Sequence, residues 1–243
     1  MAWRLYNARM IRTPVIAANW KMNAPPQGWD SEDSPYRPRD GAEVIVFPTL
    51  LDLHSCLEKF LVTGAQCGRP ESSGAFTGDV SMQLLAEHGC RYVLCGHSDR
   101  RMHHSENDEM VAKQVQSALQ AGLTPVVCVG ETADEREIGQ AKDVVKRQLQ
   151  DIGEKVIIAY EPVWAIGSGK SATARDAQEM HAFIRSLLPA KSRDSVHILY
   201  GGSVNPDNAK ELIDQPDIDG FLVGGSSLDP AKFKAIVEVC VKF

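Results

Sequence analysis

Apolar residues in this chain fall in short continuous runs, and the stretches between many of them carry a helical period. Eight runs predict strands: Val15–Asn19, Glu43–Phe47, Leu61–Gln66, Arg91–Gly96, Thr124–Val129, Val156–Glu161, His197–Tyr200 and Gly220–Val223. Most do not alternate with polar residues, a pattern that suits parallel strands covered on both faces. Between them, Asn107–Ala121 places Met110, Val111, Val115, Ala118 and Leu119 on one helical face. Asp134–Ile152, Thr173–Leu188, Pro206–Asp214 and Pro230–Val241 also read as helices, the last two opened by a proline where a helix tolerates one. Strand–helix alternation repeated about eight times without a linker predicts an α/β protein with one (β/α)8 barrel. A doubly wound open sheet is the alternative, weakened because no GxGxxG follows the first strand.

One interval breaks the rhythm. Ala24–Asp40 contains Pro25, Pro26, Pro35 and Pro38, and each proline in a helix interior costs ~3 kcal/mol. The first barrel helix is therefore expected to be missing or reduced to a turn. Trp29 and Tyr36, with Trp3, Leu5 and Tyr6 of the N-terminal tail, are the candidates to cover that flank.

The composition changes this picture little. With 43% hydrophobic and 24% charged residues over 243 positions, the chain can build one large core. A formal charge of −6 argues against general nucleic-acid or anionic-membrane binding. No apolar run approaches a membrane-helix length. The six cysteines form no CxxC pair and read as free thiols of a reducing cytoplasm. Residues 1–13 carry Arg4, Arg9 and Arg12, no acid and no apolar signal core. They are expected to be a non-catalytic tail ahead of a domain at 14–243, or to precede a true start at Met10.

Four places carry candidate chemistry. Glu161 ends a buried strand and is followed by Pro162, Val163, Trp164 and the small-residue tip Ala165–Gly169. A carboxylate beneath an apolar lid is disfavoured as an anion and becomes a better base. His97 follows Gly96 at another strand end, and Ser98 onward reads as a helix start. A helix N-terminus facing an imidazole favours its neutral, hydrogen-bond-donating form. Asn19-Trp20-Lys21 closes the first strand and can aim the lysine into the barrel mouth, although a lysine snorkelling to the surface is the simpler reading. Gly201-Gly202-Ser203 and Gly224-Gly225-Ser226 follow the last two strands, where barrels commonly hold a phosphate on backbone amides. His103 and His104 read as surface residues. Gly169-Lys170-Ser171 mimics the end of a Walker A loop, but Trp164 stands where its first glycine belongs.

These segments together resemble the triosephosphate isomerase family: Ala18–Asn23, Gly74–Gly78, Gly96–Ser98, Tyr160–Lys170, Tyr200–Ser203 and Gly220–Gly225, in order. The resemblance spans roughly residues 14 to 243 and implies a TIM barrel. It implies cofactor-free and metal-free interconversion of dihydroxyacetone phosphate and D-glyceraldehyde 3-phosphate. Glu161 would be the base and His97 the neutral electrophile. Lys21 would stabilise the enediolate, with Asn19 donating a hydrogen bond nearby. Gly167, Ser203, Gly224 and Gly225 would hold the phosphate, Ile166 and Leu222 would clamp Glu161, and Tyr200 with Ser203 would latch the closed lid. The family is usually a homodimer, which here would form through loop 74–78, Thr77 reaching the partner's Asn19 and the partner's Lys21.

The chain departs from the family at several positions. Asp99 stands where a glutamate normally pairs with the lysine, which shortens the reach by roughly 1.5 Å and predicts reduced but real activity. Asp79 replaces a glutamate expected to pair across the dimer with Arg100, and Cys67 replaces an amide. With the missing helix, these predict weaker association than usual. Two other readings compete. A ribulose-phosphate epimerase-like barrel would need metal-binding histidines and aspartates that the sequence does not gather. A catalytically silent barrel would bind a sugar phosphate or a protein without turnover.

Overall fold

Along each strand, successive side chains enter different layers, and both layers are buried. Val15, Ala17, Ile45, Phe47, Tyr92, Leu94, Val126, Cys128, Ile157, Ala159, Leu199 and Leu222 form one buried cluster. Their neighbours Ile16, Ala18, Val44, Val46, Val93, Val127, Ile158, Ile198 and Val223 belong to a second. The first set fills a barrel and the second meets the helices around it, which is why the runs are apolar at both parities. In this computed structural model, residues 12–165 and 172–241 are described. The tail candidates Trp3, Leu5 and Tyr6, the start candidate Met10, and Ile166 and Gly167 lie outside them.

The strands are β1 Val15–Asn19, β2 Glu43–Phe47, β3 Gly64–Ala65, β4 Tyr92–Cys95, β5 Thr124–Val129, β6 Ile157–Tyr160, β7 Ile198–Tyr200 and β8 Gly220–Val223. They pair in parallel in the order β2-β1-β8-β7-β6-β5-β4-β3. A parallel bridge between Val46 and Thr63, with the Val46 amide on the Val62 carbonyl at 2.9 Å, joins β2 to β3 and closes the ring. Four strands match their expected bounds. β3 shrinks from Leu61–Gln66 to two residues, and Glu161 lies one residue beyond β6.

The helices are α1 Leu53–Glu58, α2 Met82–Glu87, α3 Ser98–His104, α4 Asp108–Gln120, α5 Ala133–Glu137, α6 Ala141–Gln148, α7 Ala174–Leu187, α8 Pro206–Ile213 and α9 Pro230–Val241. The continuous helix expected over Asp134–Ile152 is instead two, α5 and α6. The chain breaks at Gly139, whose φ of +78° only glycine adopts freely. On α4, Val111, Val115 and Ala118 are buried, but Met110 is 44% exposed and does not share their face.

Residues 24–40 form turns and no helix. Tyr36 is fully buried, stacked on Phe233 of α9 at 4.9 Å, with Trp20 edge-on at 5.3 Å. Trp29 meets Trp20 at 6.1 Å. These aromatic side chains cover the flank that a first helix would otherwise occupy. At the opposite end of the barrel from the glycine loops, Asp219 accepts from Arg12 at 2.7 Å and Arg185 at 2.5 Å, a paired charge remote from the strand C-termini. Cys56, Cys67, Cys90, Cys95 and Cys128 are free thiols.

Candidate active site

The C-terminal ends of the strands converge on a cavity of about 380 Å³ lined by Asn19, Lys21, His97, Glu161, Leu222 and the loops 201–205 and 224–226. Every candidate side chain within the described residues, apart from the rim residue Asp99 and the latch residue Tyr200, therefore borders one space.

β6 and the turn behind it set Glu161. Its amide donates to the Val129 carbonyl at 2.7 Å, and the Gly201 amide donates to the Tyr160 carbonyl at 2.7 Å. A Cβ on Gly201 would stand 2.9 Å from Glu161 Cγ, so glycine there leaves room for the carboxylate arm. Glu161 is 2% exposed. Its Oε2 accepts from the Ser98 amide at 2.8 Å, and its Oε1 lies 3.0 Å from His97 Nε2.

His97 is the N-cap of α3. Its Nδ1 accepts from the Asp99 amide at 3.0 Å. An amide N–H can only donate, so Nδ1 carries no proton and Nε2 carries the hydrogen in the neutral ring. The imidazole therefore presents an N–H donor to the cavity, held by the start of a helix.

Lys21 has a φ of +49°, uncommon for a residue with a side chain. The turn is fixed from both sides: the Lys21 amide donates to Asn19 Oδ1 at 3.0 Å, and Gln66 Nε2 donates to the Lys21 carbonyl at 2.8 Å. Lys21 Nζ pairs with Asp99 Oδ2 at 3.0 Å. The shorter acid thus still reaches the lysine. Burial pushes the Asp99 carboxyl up, but His97, the Lys21 ammonium and His103 outweigh it and hold the group below its usual range. Because His97 Nδ1 is an acceptor, the lysine is the contribution that persists when the ring is neutral.

The glycine loops are tied together. Ser226 Oγ donates to the Val204 carbonyl at 2.6 Å, linking the turns after β7 and β8. Gly225–Leu228 is a short 3-10 turn, whose first amides have no partner within the turn. Ser203 Oγ donates to the Ala165 carbonyl at 3.2 Å. Tyr200 is fully buried, its phenol pushed up to about 12 mainly by burial.

Two residues had no place in the sequence reading. Glu131, fully buried after β5, accepts from Tyr160 Oη at 3.1 Å, Trp164 Nε1 at 2.9 Å and Arg136 at 3.0 Å. It grips the chain on both sides of Glu161. Arg136 also stacks on the Trp164 ring at 4.5 Å. The signal was available: Glu131, like Glu161, is a carboxylate just past a buried apolar run.

Beside the first cavity lies a second of about 580 Å³, bordered by Asn19, Lys21, Gln66, Cys67, Asp99 and Arg100, with the exposed His103 and His104 on it too. Met22 on its edge is 95% exposed. Loop 74–78 is exposed except for half-buried Phe76, whose ring lies 3.7 Å from the Arg69 guanidinium. Within the chain Asp79 pairs with Arg69 at 2.8 Å and Arg100 with Glu106 at 2.5 Å, so neither waits unpaired for the other. Among the described residues no group of three or more His, Cys, Asp or Glu side chains is arranged to hold a metal ion, and no helix is long and apolar enough to cross a membrane.

Residues 14–240 match the family model described as triosephosphate isomerase. Similar proteins include the triosephosphate isomerase of Polynucleobacter asymbioticus, 47% identical over 253 residues that cover 94% of this chain and 100% of that protein. The one from Herminiimonas arsenicoxydans is 45% identical over 246 residues, covering 94% and 99%. That of Stenotrophomonas maltophilia (strain R551-3) is 44% identical over 246 residues, covering 94% and 98%.

Proposed function

The chain belongs to the triosephosphate isomerase family and is an isomerase of glycolysis and gluconeogenesis, and from that premise we propose how its residues interconvert dihydroxyacetone phosphate and D-glyceraldehyde 3-phosphate. The substrate's phosphate rests on the turns after β7 and β8, against Ser203, Gly224 and Gly225, with Gly167 completing the cradle. Its carbonyl oxygen faces His97 Nε2 and Lys21. Glu161 leaves the Ser98 amide, turns to the substrate and takes a proton from the carbon beside the carbonyl. Negative charge gathers on the oxygen, where the imidazole N–H, the ammonium and Asn19 stabilise it. Glu161 returns the proton to the adjacent carbon while His97 shuttles the oxygen-bound one.

A single observation carries this reading. His97 presents Nε2–H and Glu161 presents a carboxylate, 3.0 Å apart, on the wall of a cavity whose other wall is the pair of glycine turns. Leu222 and Ile166 clamp the base apolarly, and Tyr200 with Ser203 latches the lid. Sealing the site protects the enediolate from losing phosphate to water.

On this reading the catalytic domain runs over 14–243, with Arg12 ahead of it tied in through Asp219, and the protein works in the cytoplasm as a homodimer. The recess beside Lys21 suits a projecting loop, and loop 74–78 of a second copy is that loop. Both are exposed in one chain, and Met22 adds apolar surface at the edge. A coupled isomerase assay across protein concentrations, run beside a mass measurement, tests this. Turnover should fall with the dimer population on dilution below micromolar. Full activity in a monomer would remove the dimer from the account, and no turnover in folded protein at any concentration would favour a binding-only barrel.

A further inference from the structure

The segment that replaces the first barrel helix does more than cover the sheet. Tyr36 Oη donates to the carbonyl of Ser227 at 2.7 Å, across 191 positions of sequence and out of reach of solvent. Ser227 lies near the end of the 3-10 turn that opens at Gly225. Carbonyls at the end of so short a turn have no partner within it, and Tyr36 supplies one.

Ser227 is itself the knot of the turn. Its amide donates to the Gly224 carbonyl at 2.8 Å and its hydroxyl to the same carbonyl at 2.7 Å. The hydroxyl also lies 3.5 Å from the Asn19 carbonyl. The Tyr36 ring is locked between Phe233 and Trp20, so the hydroxyl has little freedom to point elsewhere. The segment carrying it is stapled by its own bonds: Ser34 Oγ donates to the Trp29 carbonyl at 2.6 Å, and Arg37 donates to the carbonyls of Asp30 at 2.9 Å and Ser31 at 2.7 Å. A rigid, helix-free segment therefore ends in one hydroxyl aimed at the turn that follows β8.

We propose that Tyr36 is a positioning residue for phosphate binding: through Ser227 it fixes the Gly224–Gly225 turn at the distance from Asn19 and Lys21 that the substrate requires. The inference rests on the reading that this turn holds the phosphate. Tyr36 touches no substrate and acts only through the turn.

Inorganic phosphate is the probe. Wild-type protein and Tyr36→Phe, which keeps the ring stack and loses only the hydroxyl, are titrated with phosphate as an inhibitor of the isomerase reaction. In Tyr36→Phe the inhibition constant and KM are each expected to rise roughly tenfold, with kcat within about twofold, because binding common to ground and transition state is lost. A general structural defect would lower active fraction and leave both constants alone. Equal inhibition constants in the two proteins would overturn the inference while leaving the phosphate reading intact. A wild-type enzyme that phosphate does not inhibit competitively would overturn both. Phe233→Leu carries a second test should Tyr36→Phe fail to fold: it removes the ring stack that aims the Tyr36 hydroxyl at Ser227, so the same two constants should rise, and unchanged constants would again refute the proposal.

Discussion

The two halves of the barrel mouth are built to different standards. On the side of β4 and β6, the side chains of His97 and Glu161 are 7% and 3% exposed and each is held by backbone amides. On the side of β1, Lys21 and Asp99 pair at a similar distance, but their side chains are 35% and 46% exposed. The buried half is complete within one chain. The open half faces a recess that a single chain leaves uncovered. Burial multiplies what a hydrogen bond or charge is worth, and solvent divides it. The chemistry should therefore be sensitive to small changes on the first side and tolerant on the second.

The largest effect is expected at the buried half. His97→Asn keeps an acceptor for the Asp99 amide but removes the fixed Nε2–H donor, and should lower kcat by about 10²–10³-fold with the fold unchanged, as for loss of one preorganised donor at a developing oxyanion. Steady-state kinetics with a circular dichroism control would check it. A loss below tenfold would mean that the imidazole N–H contributes little to stabilising the oxyanion.

Behind the same half stands His181, fully buried, its Nδ1 3.3 Å from the Asp217 carbonyl and its ring edge-on to Tyr160. Burial drives its pKa down to about 3. The unfolded chain takes up a proton near pH 6.5 that the fold refuses, so stability is full above that pH and falls as pH drops toward about 3. The slope from this residue is about 1.4 kcal/mol per pH unit. Denaturant titrations between pH 6 and 4.5 should show it, and His181→Gln should flatten it. An equally steep variant would assign the acid sensitivity elsewhere.

The smallest effect belongs to the open half. Removing one charge of a half-exposed pair is worth ~0–1 kcal/mol. Asp99→Asn should therefore lower kcat/KM by less than about fivefold, and the difference should shrink at high salt. Asp99→Glu should change it by less than about twofold, since the shorter acid already reaches Lys21. This replaces the sequence-based expectation of a penalty for the missing methylene. A large gain from Asp99→Glu would restore that expectation.

That expectation shows where sequence reading ends. A methylene count says how long a side chain is, not how the backbone carries it, and here the N-terminal turn of α3 brings Asp99 close enough. The barrel itself was legible because both faces of its strands are buried, so each strand is an unbroken apolar run. α1 and α2 were not, since six residues are too few to display a helical period. The break between α5 and α6 hinged on Gly139, one residue inside an otherwise periodic stretch. At the site, residues at strand ends could be picked out, while Gln66, Glu131 and Arg136 act through contacts between segments far apart in sequence. Tyr36 was legible as a cover from its size alone. Its bond to Ser227 depends on the packing of α9 beneath it.

The central claim is that the carboxylate of Glu161, set by β6 and held beside His97, moves the proton. Glu161→Gln keeps the size and a hydrogen-bonding end but removes the base. Conversion of D-glyceraldehyde 3-phosphate followed by NMR should show kcat reduced by about 10³–10⁴-fold, with inorganic phosphate still inhibiting the residual rate at the wild-type concentration. Turnover within tenfold of wild type would contradict the account, because some other group would then be carrying the proton.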